Sequence, residues 1–207
     1  MTCQAIETRY NFTLPELYYQ MEQAGRFSVA NYNPTQPVQS LYLWLPEVEW
    51  WSLEEIANYQ PPDYHKLGFI PFADDGAGDF WCWWPIRTTG LGTPIALCPH
   101  DYKLARLDAP HFTGWLYRRI LDYARGHIDS AEEDEARAWF KRWRNELGAF
   151  FLPQWNETVN HLTTAPLKTW QELRYTQQGF LNPKEYQEIV KRDLWFEGLD
   201  EKFEWMV

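Results

Sequence analysis

Hydrophobic and polar positions along this chain alternate between a helical and an extended period. After Thr13 and Glu16, a capping-box pair, Leu17, Tyr18, Met21 and Ala24 recur at helical spacing and Gly25 supplies a stop. The run LYLWL (41–45), bounded by Pro46, predicts a short buried strand. Ser52 and Glu55 repeat the capping-box pattern in SLEEIANY, which predicts a short helix ending before Pro61 and Pro62. GFIPF and DFWCWW then read as aromatic-rich strands joined by ADDGAG, and TPIALC (93–98) as a third. Their short links predict an antiparallel meander. A helix beginning near His111 follows, with Phe112, Trp115, Leu116, Ile120 and Tyr123 on one stripe and Gly126 past its end.

Beyond residue 126 the extended pattern stops. Ser130 and Glu133 are placed to cap a long helix whose Ala136, Trp139, Phe140, Trp143, Leu147 and Phe150 form one apolar stripe. Two more helices are predicted, one near 166–178 opened by Pro166 and one near 183–196 with Asn182, Pro183 and Glu185 at its N-cap, N1 and N3 positions. The pattern therefore predicts an α+β fold, an antiparallel twisted sheet covered by helices, over residues 1–126. Residues 127–207 are expected to form an all-helical extension packed on it. In DFWCWW, alternation puts Phe80, Cys82 and Trp84 on one face and Trp81 and Trp83 on the other. Both faces are apolar, so the sheet should be covered on both sides, with the C-terminal helices as the second cover.

Composition sharpens this in two ways. The formal net charge is −10 over 207 residues, with the acidity shared between the parts before and after residue 126. A surface of this sign repels phosphate backbones and anionic lipid, which argues against nucleic acid and membrane as partners and favours a basic protein. There are also 13 tryptophans and 12 tyrosines, residues that fill cores, anchor interfaces and stack on sugars. The first residues lack the basic and apolar pattern of a signal peptide and no apolar run approaches a bilayer span, so a cytoplasmic location is expected.

The densest motif is ADDGAG with the following Asp79. A phosphate cradle would lead into a helix and carry a lysine, whereas this loop leads into a strand and carries three aspartates, Asp74, Asp75 and Asp79. Calcium loops require a longer spacing closed by a glutamate. A hairpin turn accounts for the residues best, since Asp75 and Gly76 suit positive φ and Gly78 permits a bulge. Elsewhere, His65, His100, His111, His127 and His161 show no zinc spacing, and CPHD (98–101) is the nearest approach to a ligand cluster. There is no GxSxG, and Cys3, Cys82 and Cys98 form no CxxC pair. Glu132–Glu135 fall in a helix's first turn, where the macrodipole favours them. No catalytic residue, metal or cofactor is expected from these patterns.

The passage GFIPFADDGAGDFWCWWP resembles the signature of the SUKH superfamily, in which a PF strand, an acidic glycine turn and a GD start the next strand. LPELYYQMEQAGR resembles its first helix, LYLWLPEVEWWSLEEI its strand followed by a helix, and TPIALCPHDYKLARLDAPHFTGWLYRRIL its last strand and closing helix. The resemblance covers roughly residues 10–125. It implies an α+β domain without a catalytic constellation, in which Pro71, Phe72, Gly76, Gly78 and Asp79 shape the fold. Bacterial members resemble immunity proteins that neutralise a cognate toxin, and fungal members resemble regulators of cell-wall synthesis. On that likeness the expected function is neutralisation of a basic toxin domain by blocking its active cleft. Trp50, Trp51, Asp74, Asp75, Asp79 and Trp83 are the candidate contact residues. The alternative is a carbohydrate- or wall-associated module stacking sugars on Trp50, Trp51, Trp83 and Trp84.

Overall fold

In the computed structural model, which describes residues 2–207, the predicted meander is the centre of a six-stranded sheet. The elements run α1 (Cys3–Tyr10), α2 (Glu16–Gln23), β1 (Glu49–Trp50), α3 (Leu53–Asn58), β2 (Ile70–Asp74), β3 (Phe80–Trp83), β4 (Ile95–Cys98), β5 (Leu104–Ala109) and α4 (Phe112–Arg125). They continue with α5 (Glu133–Leu147), α6 (Pro153–Leu162), β6 (Lys168–Glu172), β7 (Tyr175–Gly179), α7 (Pro183–Asp193) and β8 (Lys202–Glu204). The large sheet has the order β1-β2-β3-β4-β5-β8 and every pairing is antiparallel. The fold is α+β, as the hydrophobic pattern requires. Two compact units result, residues Met1–Trp115 with Phe196–Val207, and residues Leu116–Trp195. The division expected at residue 126 falls instead inside α4, and the last residues rejoin the first unit because β8 pairs with β5.

The first unit is built on the alternation of β3. Trp81 and Trp83 point into a core with Phe72 of β2, Tyr18 of α2 and Phe112 and Trp115 at the start of α4. Trp83 alone meets Phe72, Tyr18 and Phe12 at ring-centroid distances of 4.4, 4.9 and 5.6 Å. On the opposite face Cys82 and Cys98 pack with Ala96, Ala105, Trp205 and Met206, edged by Phe69, Phe80 and Phe203. This second cover comes from the chain's C-terminal segment, where helices were expected. The three thiols are buried and free, and burial pushes Cys98 well up, which keeps it protonated.

Several local expectations change. α1 has no strong pattern, with only Cys3 and Ile6 buried, and is capped by the Thr2 hydroxyl accepting from the Ala5 N–H. α2 starts one turn after Thr13, behind Pro15 and without a side-chain cap, so the expected Thr13–Glu16 box does not form. LYLWL is buried at Tyr42, Leu43 and Leu45 but is no strand: Tyr42 and Leu43 donate to the carbonyls of Asn31 and Arg26, and the edge strand is β1 instead. An apolar run signals burial, and only the available backbone partners decide whether it joins a ladder.

In the second unit, Trp139, Phe140, Trp143 and Leu147 of α5 are buried as predicted, with Trp155 and Val159 of α6 and Phe180. Its cap is not Ser130: the helix begins after Glu132 without a side-chain cap, while Glu133, Asp134 and Glu135 occupy the first turn. The extension is not all-helical. Residues expected as a helix near 166–178 form the hairpin β6–β7, paired from Lys168–Gly179 to Glu172–Tyr175. Its turn places Leu173 at φ 55° with 96% of its surface exposed, a conformation without the usual Asn-Gly signal. Asn182 and Glu185 do form the predicted capping box on α7.

Candidate partner-binding site

Within the first unit the acidic turn and β1 border a cleft of about 800 Å³. Its walls come from the end of α2 and the loop after it (Glu22, Phe27, Val29, Tyr32), the buried irregular run (Tyr42, Trp44, Leu45), β1 with its approach (Glu47, Val48, Glu49, Trp50), the start of α3 (Ser52, Glu55) and Asp75 of the turn. Five carboxylates and five aromatic rings line it, and no lysine, arginine or histidine does. Its size lies within the roughly 300–1,000 Å³ range of ligand-binding pockets.

The carboxylates around this cleft fall into two groups. Those of the turn and the α3 cap are occupied by local donors. Asp74 accepts from the Trp51 indole N–H at 2.6 Å and the Gly76 N–H at 2.7 Å. Asp75 accepts three backbone N–H groups, of Ala77, Gly78 and Asp79, through one oxygen at 2.8–3.0 Å. Asp79 takes the His100 N–H at 3.0 Å and its ring Nδ1 at 2.8 Å, while Glu55 completes the Ser52 capping box. The densest acidic motif is thus a turn that folds around its own carboxylates. Gly76 and Gly78 have φ of 74° and 109°. A Cβ at Gly76 would lie 2.8 Å from Glu49 Oε1, and one at Gly78 would lie 3.3 Å from the His100 ring. Both glycines are therefore fixed by their backbone conformation; the nearby Glu49 side chain is exposed and flexible, and the His100 ring would have to shift only slightly.

The second group is Glu22, Glu47 and Glu49. None of these carboxylates takes part in a hydrogen bond or an ion pair among the described residues. Glu22 is half-buried in the last turn of α2, the negative end of the helix dipole, and no basic residue occupies that turn. Burial raises its carboxyl above the usual carboxylate range. Glu47 stands at φ 56°, in the left-handed region that non-glycine residues rarely enter.

The structure separates the six candidate contact residues. Trp83 is fully buried and Trp50 is 9% exposed, stacked on Phe27 at 4.2 Å with its indole N–H on the Leu43 carbonyl. A partner cannot reach Trp83 in this fold; alternation on a sheet covered on both faces puts it inside. Trp51 is half-buried and held by Asp74, and the three aspartates are partly exposed at the turn, where only Asp75 lines the cleft. Trp84 is stacked on Phe203 at 4.3 Å with Arg87 over its ring. Pro71 and Phe72 are buried in β2, where the register shifts between Pro71 and Ala73. Glu22, Glu47, Glu49, Tyr32 and Trp44 were not predicted as site residues, and no local motif marks them because they are assembled from four separate stretches.

Asp79, His100 and Asp101 bring possible metal-ligand atoms within 4.8 Å of one another. The hydrogen bond that the His100 ring makes to the Asp79 carboxylate raises His100 above the ordinary histidine range, which favours the imidazolium over a metal-binding neutral ring. No helix among the described residues is long and apolar enough to cross a membrane.

The order of elements, with a helix leading into β1, a second helix, the PF strand, the acidic turn and the closing α4, decides the relationship. The family model of the SMI1 / KNR4 family (SUKH-1) matches residues 2–118. The chain belongs to this family. SUKH proteins include immunity proteins, and the family name also covers Knr4 regulators. The match spans the first unit up to α4 and leaves out β8, which completes this SUKH sheet from the far end of the chain. No curated protein and no solved structure matches the chain.

Proposed function

We propose that this SUKH protein is a non-catalytic immunity protein that binds a basic toxin domain and blocks its active cleft. The observation that carries the reading is the cleft between α2, β1 and the acidic turn, lined by five carboxylates and no cation. Opposite charge steers association, and a basic surface that normally holds a nucleic acid is the complementary shape of partner. The net charge of −10 extends the same field over the chain. Membership in a family that includes immunity proteins supports the reading further.

The test is co-expression with the product of the adjacent gene. Under this reading the neighbour is toxic alone, growth is restored by this protein, and the purified pair associates more slowly as salt rises. A harmless neighbour, or a toxic one left active by an excess of this protein, would overturn it. The carbohydrate-module alternative has no observation that favours it: Trp50 and Trp83 are core residues and Trp84 is covered by Phe203.

A further inference from the structure

We propose that the protein self-associates through β6, whose open edge pairs antiparallel with β6 of a second copy about a two-fold axis at Trp170. The inference concerns the second unit alone and is independent of the toxin-binding reading.

The four strands that end a sheet in this chain treat their outer edges differently. β1 is two residues long and β8 three, with Lys202 and Glu204 exposed on it. Short, charged edges resist further pairing. The outer edge of β7 is covered from within the chain, where the Ile128 N–H donates to the Gln178 carbonyl at 2.9 Å. β6 has none of these protections. It runs five residues in continuous register, without proline or bulge and with the uncharged centre Thr169–Trp170–Gln171.

The register shows which of its backbone groups face outward. The hairpin closes through the two-residue turn Leu173–Arg174, so Glu172 and Tyr175 form a hydrogen-bonded pair. By alternation so do Trp170 with Gln177 and Lys168 with Gly179. The Gln178 carbonyl, turned away from β6 toward Ile128, obeys the same alternation. Thr169 and Gln171 therefore turn their N–H and C=O groups to the open side of β6. These groups have no partner among the described residues, and both side chains are exposed.

The strand itself names the occupant, because KTWQE complements its own reversal. Antiparallel pairing about Trp170 sets Lys168 opposite Glu172 of the second copy, Thr169 opposite Gln171 and Trp170 opposite Trp170. The outward groups of Thr169 and Gln171 then make four backbone hydrogen bonds across the axis. Their side chains also match. The Thr169 hydroxyl accepts from the Gln178 amide at 3.2 Å and the Gln171 amide donates to the Thr176 hydroxyl at 2.8 Å. What each has left, a hydroxyl hydrogen on Thr169 and an amide oxygen on Gln171, is a donor and an acceptor for the other copy. Lys168 and Glu172 keep Glu185 and Arg125 as partners within the chain and act across the axis through their sign. Opposite charges face each other in the antiparallel arrangement, whereas a parallel one would align like charges.

The test is sedimentation of the full chain over a range of concentrations, with hydrogen exchange read at Thr169 and Gln171. A concentration-dependent dimer is expected, with both N–H groups protected only in the dimer. Gln171→Pro removes an outward N–H and no bond to β7, so it should weaken self-association at least about tenfold. Should that variant fail to fold, Lys168→Glu and Glu172→Lys decide. Each alone sets like charges opposite at both ends of the paired strands and should weaken the dimer about fivefold. A one-to-one mixture sets the acids of one copy against the bases of the other and should restore association, which a purely structural role for either residue would not do. A chain that stays monomeric up to about 0.5 mM overturns the proposal. So does a dimer that a folded Gln171→Pro leaves intact, or a mixture that associates no better than its components.

Discussion

The acidic turn and the acidic cleft carry the same charge and treat it in opposite ways. In the turn, Asp74, Asp75 and Asp79 each accept two or three hydrogen bonds from their own neighbourhood, so their charge stabilises the fold. In the cleft, Glu22, Glu47 and Glu49 have no hydrogen-bond donor among the described residues: Glu47 and Glu49 are left to solvent, and only Glu22 is half-buried, with its carboxyl raised by that burial. A conspicuous run of acids is therefore a poor guide to function by itself. What separates structural from recognitive carboxylates is whether the protein has already satisfied them.

The largest effect concerns the core beneath both. Trp83→Ala should cost about 3–5 kcal/mol in urea unfolding, because its ring fills the space between Phe72, Tyr18 and Phe12. An unchanged midpoint would return Trp83 to the list of surface contacts. Next comes the turn: Asp75→Ala strands three N–H groups and should cost about 2 kcal/mol by the same measurement. A neutral outcome there would erase the distinction between the two acidic groups.

The cleft should respond with the other sign. Replacing Glu22, Glu47 and Glu49 together by glutamine should leave stability unchanged or raise it by about 0.5 kcal/mol, while slowing association with a basic partner at low salt. A clear loss of stability would show that these acids are structural after all. The smallest effect is the pairing of Asp79 with His100, whose folded-state pKa is raised above 6.5, first by that hydrogen bond. The stabilisation is fully present below pH 6.5 and is lost as pH rises through the raised value. In an NMR titration the His100 midpoint should lie above 6.5 and drop in Asp79→Asn; a midpoint insensitive to that change would remove Asp79 as the cause.

Legibility followed the range of the interactions. The capping boxes at Ser52–Glu55 and Asn182–Glu185 are visible because all their partners lie within one turn. The β2–β3 hairpin is visible because glycines with positive φ are demanded inside its own loop. The β6–β7 hairpin carries a helix-like pattern in the sequence because its turn uses Leu173 and Arg174, where glycine or asparagine would announce a hairpin. Its strands also bury only one face partially. β5 and β8 carry no clear strand pattern since charges interrupt LARLDA and KFE; β5 is held by β4 on one side, and β8 becomes a strand by pairing with β5 from the far half of the chain.

The sequence by itself determined the α+β class, the two-faced aromatic strand β3, the acidic hairpin turn and membership in the SUKH family, each recorded in contiguous residues. Only the tertiary structure decided which tryptophans are core, that the C-terminus completes the first sheet, and that Glu22, Glu47 and Glu49 stand together unpaired. The physical reason is that burial and charge compensation depend on neighbours distant in sequence. A residue's own type reports its capacity to interact, and only the fold reports whether that capacity is already used.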